Sequence, residues 1–402
     1  MSGDAGPLAG FRVLELGNFI AAPTAGRLLA EFGADVIKVE RPGTGDELRR
    51  WRLHEGDTSL LFRTLGRNKR SLTLDLRTAA GQQVVRRLAA QVDVVLENFR
   101  PGTCERWGIG PEQLRAANPD LVMVRISGYG QTGPYRDRPG FGGVAEALGG
   151  LRALTGYPGQ PPIRVGISLA DSVAGLYAVI GALIGLVQRG RGRRGGELVD
   201  VALYEAIFSL MESLVPDYDA FGTRMAPSGS GLSGVAPSNT YRCAAGRYVV
   251  ISGNGDSIYR RLMRAIGRPD LAEDARMADN AGRVAHVGEL DAAIGSWAAA
   301  RSQDEVVAAL LAAEVPHGPI LTAEEIVKDP QFAERGMLER HSVRIGDTER
   351  EVRFAGVVPR LAGEPGRTRW LGPELGEHTD EVLAELGYDP AAIDELRERS
   401  VI

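Results

Sequence analysis

Short apolar runs rich in β-formers alternate with stretches of helical spacing along the first part of the chain. "FRVLEL" (11–16) reads as a strand, Pro23 stands where a helix can begin, and "TAGRLLAEFG" keeps helical spacing until Gly33 stops it. "ADVIKVE" (34–40) follows as the second strand of a βαβ unit, whose strands lie parallel. "SLTLDL" (71–76), "VDVVLEN" (92–98) and "LVMVRIS" (121–127) extend the series, with "AGQQVVRRLAAQ" and "GPEQLRAANP" as the helices between them.

From 127 to 160 the chain is glycine-rich and punctuated by "TGP" and "RPGFGG", which predicts a long ordered loop. "GISLADSVAGLYAVIGALIGLV" (166–187) is then one apolar helix, followed by the basic turn "QRGRGRRGGE", a strand "LVDVAL" and a helix "YEAIFSLMESL". "PSGSGLSGVAP" (227–237) has the composition of a linker or lid. A different pattern starts there: "YVVISG", several helices between 257 and 313, and "EVPHGPI". Beyond it, "SVRI", "EVRFAG" and a terminal helix suggest a return to the first domain. The expected fold is α/β: a Rossmann-like large domain with a mostly parallel sheet over 1–220, a smaller α+β domain over 221–326, and a C-terminal segment, 327–402, rejoining the large domain.

A chain of 402 residues fits about two such domains. A net charge of -5 gives no global attraction to nucleic acid or an anionic membrane, so an anionic ligand must be held by local cations. Cys104 and Cys243 form no metal or redox pattern, and "MSGDAGPLAGF" has neither the basic start nor the apolar run of a signal peptide; a cytoplasmic protein is expected. The apolar helix is long enough to span a membrane, but Asp171 within it and the recurrence of Gly175, Gly181 and Gly185 favour a buried helix of a soluble protein.

The loop "LGNFIAAPTAG" between the first strand and helix is where a doubly wound sheet binds ligands, and Glu40 ends the second strand where dinucleotide folds place a ribose-binding acid. GxGxxG is absent, which argues against a nicotinamide site. Arg41, Arg49, Arg50, Arg67, Lys69, Arg70, Arg77, Arg100 and Arg106 cluster around predicted strand ends, where several together could clamp a phosphorylated nucleotide. Asp171 has two readings: a cap of the apolar helix, or a carboxylate kept ionised by the helix end while partly stripped of water, and so a nucleophile. The histidines His54, His286, His317, His341 and His378 are scattered without metal spacing, and neither a GxSxG elbow nor a Cys–His pair is present. No metal is expected.

Several stretches together resemble the class III CoA-transferases (the CaiB/BaiF family, which includes formyl-CoA transferase, carnitine CoA-transferase and α-methylacyl-CoA racemase). They are "LAGFRVLELGNFIAAPTAGRLLAEFGADVIKVERPGTGD", "NKRSLTLDL", "VDVVLENFRPGT", "ISGYGQTGPY", "GFGGVAEALGGLRALTG", "GISLADSVAGLYAVIGAL", "LLAAEVPHGPI" and "LGPELGEHTDEVL", in family order over almost the whole chain. The resemblance implies a CoA-transferase moving CoA from an acyl-CoA to a free carboxylic acid through an acyl-aspartyl anhydride on Asp171. It implies coenzyme A contacts at Phe19, Ile20, Ala21, Arg41, Leu74, Arg77, Asn98, Phe99, Arg100, Arg106, Arg138 and Phe141. It also implies a glycine loop over the nucleophile at Gly229, Gly231 and Gly234, with "SGNG" (252–255) a second candidate.

The departures narrow the reading. Formyl-CoA transferase has Gln where Ile20 stands and Tyr-Glu where Phe141 and Gly142 stand, which argues against formate or oxalate; the family suggests succinyl-CoA with a dicarboxylate. The racemases have a His in the segment that here reads Phe141-Gly142-Gly143, so racemisation lacks a second base. The alternatives are an acyl-CoA racemase or isomerase and a non-catalytic acyl-CoA-binding protein. Glu146 is expected on a helix surface, and Tyr218 with Arg224 is a candidate contact for the acceptor's carboxylate. The family fold implies an interlocked homodimer, with no nucleic-acid or membrane partner.

Overall fold

The computed structural model describes residues 6–55 and 58–402. Of the N-terminal stretch in which no signal peptide is expected, residues 1–5 lie outside the described residues. Contacts divide the chain into two compact units, one of residues 1–151, 165–212 and 333–402, the other of residues 152–164 and 213–332. These divisions fall several residues from the expected 220 and 326, and residues 152–164 join the second unit although they precede the long apolar helix.

The first unit is built on a six-stranded sheet: β1 (Arg12–Glu15), β2 (Asp35–Glu40), β3 (Lys69–Thr73), β4 (Val94–Glu97), β5 (Val122–Ser127) and β6 (Leu198–Ala202). Its spatial order is β3-β2-β1-β4-β5-β6 and every pairing is parallel. Strands of such a sheet are covered on both faces, which is why β4 and β5 are buried at every position and mostly apolar; the charges they carry, Glu97 and Arg125, pair with each other at 2.6 Å. The order reverses between β1 and β4, and the crevice at the carboxyl ends of those two strands is where this architecture binds ligands.

The helices that frame this crevice are α1 (Ala21–Glu31), α2 (Ala79–Ala89), α3 (Pro111–Ala117), α4 (Gly142–Leu148), α5 (Leu169–Gly190) and α6 (Leu203–Phe208). The expected loop over 127–160 thus contains α4 and a short turn, Leu151–Leu154. Its glycines mark close approach rather than irregular chain: a Cβ on Gly149 would lie 2.7 Å from Ile207 Cγ2 and 2.8 Å from the Tyr204 carbonyl on α6. The helix expected over "YEAIFSLMESL" ends at Phe208, and another begins at Leu214.

Helix α5 is buried on one face only. A Cβ on Gly175 would lie 2.9 Å from the Ala21 carbonyl of α1, one on Gly181 2.4 Å from Val199 of β6, and one on Gly185 2.9 Å from Val122 of β5. On the opposite face Leu176, Ile180, Ile184 and Val187 are about half exposed (50–53%), contrary to the expectation of a fully buried helix. This is the one helix among the described residues long and apolar enough to cross a membrane.

The second unit carries an antiparallel sheet of β7 (Ser238–Arg242), β8 (Tyr248–Ser252) and β9 (His317–Pro319), with β8 central. Val249 and Ile251 of β8 pack with Tyr259 and Leu262 of α7 (Asp256–Ala265), Ile294 and Trp297 of α8 (Val287–Ala299), and Leu310 of α9 (Gln303–Ala312). Beyond it come the hairpin β10 (Leu338–Ile345) and β11 (Thr348–Ala355), then α10 (Thr379–Glu385) and α11 (Pro390–Glu398). Val382, Leu383, Ile393 and Leu396 of the last two helices join the core beneath β1, β2 and β3.

Candidate active site

The loop after β1 is held from both sides of the strand reversal. Asn98, just beyond β4, accepts from the Asn18 N–H (2.8 Å) and donates from its amide nitrogen to the Asn18 carbonyl (2.7 Å). Phe19 then takes φ +63, a left-handed conformation unusual for an aromatic residue and costing about 1–3 kcal/mol unless its surroundings impose it. Here Asp46 imposes it by accepting the Phe19 N–H at 3.1 Å. The Phe19 ring meets Trp51 and Phe141 with centroids 5.2 and 6.0 Å away.

Beneath the loop lies a buried charge network. Glu15 binds Lys38 (3.0 Å) and Lys69 (2.6 Å); Lys38 also reaches Asp46 (2.8 Å) and the Gly17 carbonyl (2.9 Å), and Lys69 the Pro23 carbonyl (2.8 Å). Glu40 takes two hydrogen bonds from Arg49 (2.7 and 2.8 Å) and one from the Ser71 hydroxyl (2.7 Å). Burial pushes the Glu40 carboxyl upward, but Arg49 and Lys38 outweigh it and leave the group below its ordinary value. With the Asp46 N–H as a fourth donor (3.0 Å), Glu40 has no capacity left for a ribose, which removes the dinucleotide reading on physical grounds. Burial, reinforced by Lys38, brings the Lys69 ammonium down to about 8 despite Glu15.

The crevice itself holds a cavity of about 260 Å3, lined by Asn18, Phe19, Ala21, Asn98, Phe99, Arg100, Phe141 and Asp171, together with Ile126, Ser127, Gly128, Pro139, Gly140 and Leu203. Asp171 is the third residue of α5, half-buried, in the turn where the helix dipole favours a negative charge. Its carboxylate fills the space of a missing side chain: a Cβ on Gly142, the first residue of α4, would lie 2.1 Å from Asp171 Oδ2. Glycine at 142 is therefore what admits the carboxylate. The Ser127 hydroxyl, buried at the end of β5, has no hydrogen-bond partner among the described residues.

A neighbouring cavity of about 70 Å3 shares Asn18 and Phe99 with the first and is lined by Arg41, Leu74, Asp75, Arg77 and Trp107 among others. Arg77 pairs with Asp75 at 2.7 Å and, with a smaller contribution from Arg41, holds that carboxyl below its usual range. The two cavities follow the carboxyl ends of β3, β2, β1, β4 and β5, a path suited to an elongated ligand with a phosphorylated end near Arg41 and Arg77.

The structure thus brings together Asp171, Phe19, Ala21, Asn98, Phe99, Arg100 and Phe141 in one cavity and Arg41, Leu74 and Arg77 in the next. Three expected contacts line neither. The Ile20 side chain is packed with Leu48, Phe62 and Leu65, Arg106 bonds the Thr103 hydroxyl at 2.9 Å, and Arg138 lies 3.6 Å over the Tyr135 ring. Of the expected basic rim, Arg49 is buried on Glu40, Arg67 is buried beside Glu31, and Arg70, near the start of β3, pairs with Asp35, Glu381 and Glu385. Glu146 is fully buried on α4, not on the surface, because α4 packs against both α5 and α6. Asn18 and Ser127 were missed by sequence reasoning; only their places at strand ends could have signalled them.

Gly229, Gly231 and Gly234 belong to the second unit. Gly229 and Gly234 have φ +71 and +76, and the loop is fastened by the Gly229 N–H to the Gly156 carbonyl (2.9 Å) and the Ser228 hydroxyl to the Gly231 carbonyl (2.7 Å). Tyr218 and Arg224 also lie there, both exposed. Among the described residues no group of His, Cys, Asp and Glu side chains is arranged to hold a metal ion.

The profile of CoA-transferase family III matches residues 8–379. A succinyl-CoA–D-citramalate CoA-transferase of Chloroflexus aurantiacus is 48% identical over 94% of this chain and 94% of its own. The beta subunit of a succinyl-CoA–L-malate CoA-transferase from the same organism is 41% identical, with 98% of both chains covered. The crystal structure of a CaiB/BaiF family protein from Brucella suis superposes with a TM-score of 0.83 at 34% identity, covering 95% of this chain and 100% of that one.

Proposed function

The chain belongs to CoA-transferase family III and is a CoA-transferase, and from that premise we propose that Asp171 carries the acyl and CoA groups in turn. The Asp171 carboxylate attacks the thioester carbonyl of an acyl-CoA and expels CoA thiolate, leaving a mixed anhydride. The thiolate, whose conjugate acid has a pKa of about 8.5, is a good enough leaving group for carboxylate attack. It then attacks the aspartyl carbonyl, freeing the donor acid and leaving an aspartyl thioester. The acceptor carboxylate repeats the sequence in reverse and departs as the new acyl-CoA. One observation carries this reading: the Asp171 carboxylate lines the cavity at the carboxyl ends of β1 and β4, where the strand order reverses.

The ligand is coenzyme A in acyl form, lying along the two neighbouring cavities, which share Asn18 and Phe99. The names of the two relatives favour succinyl-CoA as donor and a hydroxylated dicarboxylate of the malate or citramalate class as acceptor. Racemisation is disfavoured because, among the described residues, no histidine lines the cavity with Asp171.

The test is trapping. Incubation with labelled succinyl-CoA and hydroxylamine is expected to leave a hydroxamate on Asp171, found by peptide mass spectrometry. Asp171→Ala is expected to abolish transfer while CoA binding changes by no more than about tenfold, roughly 1.4 kcal/mol. Transfer that survives in this variant rejects the assignment.

The reading includes a homodimer, supported by the stripe of Leu176, Ile180, Ile184 and Val187 that α5 leaves exposed. Sedimentation equilibrium is expected to give twice the chain mass; monomer alone at micromolar concentration argues against it.

A further inference from the structure

One hydroxyl in the Asp171 cavity is left over. Ser127, the last residue of β5, is 8% exposed, and its Oγ has no hydrogen-bond partner among the described residues. Burying a hydroxyl in that state works against folding, and most buried polar groups are paired, so its partner comes from what occupies the cavity. The walls beside it are apolar, from Phe19, Ile126, Phe141 and Leu203. The Asn98 side chain in the same lining is already engaged, oxygen and nitrogen, by the Asn18 backbone.

Ser127 also stands at the height of the carboxylate. Strands β5 and β6 are parallel, so α5, which leads into β6, runs back along them. Gly185 of α5 packs on Val122 at the start of β5. From that contact Asp171 lies about 21 Å along the helix at 1.5 Å per residue, and Ser127 about 16 Å along the strand at 3.3 Å per residue, towards the same end of the sheet. One cavity holds both side chains for that reason.

When an Asp171 oxygen bonds to the acyl carbon of a thioester, the second electron pair of the carbonyl moves onto its oxygen. That charge sits among apolar walls until the pair returns and the carbon–sulfur bond breaks. A hydroxyl fixed beside it, with no protein partner to give up, stabilises the charge without rearrangement. Being neutral, it adds no attraction for free CoA.

We propose that Ser127 is a catalytic residue: its hydroxyl donates a hydrogen bond to the acyl carbonyl oxygen and stabilises the oxyanion that forms when Asp171 attacks. This rests on the reading that Asp171 is the nucleophile. No proton is transferred, and the electron pair returns from oxygen as the thiolate leaves. The same kind of oxyanion forms in the last step, when thiolate attacks the acceptor's anhydride, so one hydroxyl serves both halves of the reaction whatever the acyl tail.

The test is steady-state transfer by Ser127→Ala and Ser127→Thr, with succinyl-CoA as donor and either malate or labelled succinate as acceptor. Ser127→Ala is expected to lower kcat by about a hundredfold with both acceptors, the scale of losing one oxyanion donor, while the KM for succinyl-CoA stays within about threefold. Ser127→Thr, which keeps the hydroxyl, is expected to regain most of the loss. The melting temperature of Ser127→Ala should hold or rise, because the lost hydroxyl had no partner. A kcat within threefold of the unsubstituted enzyme overturns the proposal. So does a loss confined to malate, which assigns Ser127 to the acceptor's own hydroxyl, or a fall in melting temperature with weaker CoA binding, which assigns it to the fold. Hydroxylamine trapping separates the two readings: no hydroxamate on Asp171 in the unsubstituted enzyme sinks the nucleophile, whereas equal trapping rates with and without Ser127→Ala sink only the donor.

Discussion

Two charged regions lie close together in the first unit, the network beneath the β1 loop and the cavity around Asp171, and they use charge in opposite ways. In the network Glu15, Glu40, Lys38, Lys69 and Asp46 are almost wholly shut off from solvent, and each carboxylate is matched by a cation within 3.0 Å. Burying such groups brings little net stability, but removing one partner strands the other. What the network gives is a backbone: it fixes the Gly17 and Pro23 carbonyls and the Phe19 N–H. The cavity has the reverse character, with few charges, apolar walls and a cation, Arg100, whose side chain has no partner among the described residues. Charge satisfied internally sets the shape of the loop; charge left open is available to a ligand.

Breaking the network should therefore cost stability, and breaking the cavity should cost turnover. The largest effect is expected from Lys38→Met, which leaves Glu15 and Asp46 short of a cation and should destabilise the fold by about 3–5 kcal/mol in chemical denaturation. Gly142→Ala comes next. Its Cβ would lie 2.1 Å from the Asp171 carboxylate and must displace it, which should lower kcat by about a hundredfold while the melting temperature changes little. A large loss of stability with kcat preserved would mean that the two regions do not divide the work in this way.

The smallest effect is on pH dependence. The folded Lys69 value, about 8, lies below its ordinary 10.5, so the unfolded chain binds more protons between those values and stability should rise with pH across that window. The penalty is complete below about pH 8. The rise should disappear in Lys69→Met, measured by denaturation at pH 7.5, 8.5 and 9.5; the same rise in the variant would assign it to other groups.

The same contrast governs how much could be read from sequence. Strands β1 to β6 were legible because their short runs of strand formers recur at regular spacing even where buried charges such as Lys38, Glu97 and Arg125 interrupt them, and the parallel α/β class followed from that spacing. The fate of individual charges was not. Arg49, Arg67 and Lys69 read as a basic rim, yet all three are buried with partners distant in sequence, Arg67 for instance bonding the Ala355 carbonyl at 2.7 Å. Helix α4 was hidden because its glycines look like loop punctuation, while their actual role is contact with Asp171 and Ile207. Asp171 stood out as the lone acid in an apolar segment. The contribution of Gly142 to its placement depends on two segments meeting in space, which no periodicity records.

The three glycines along the back of α5 work like teeth on a key. They set the depth and the rotation at which the helix seats, and Asp171 is cut on the same shaft. Gly185 lies about 21 Å along the axis from that carboxylate at 1.5 Å per residue, yet a methyl group there must lift the helix from Val122 and swing its far tip. Drift in reactivity can thus originate at the opposite end of the unit, in positions that no substrate ever reaches.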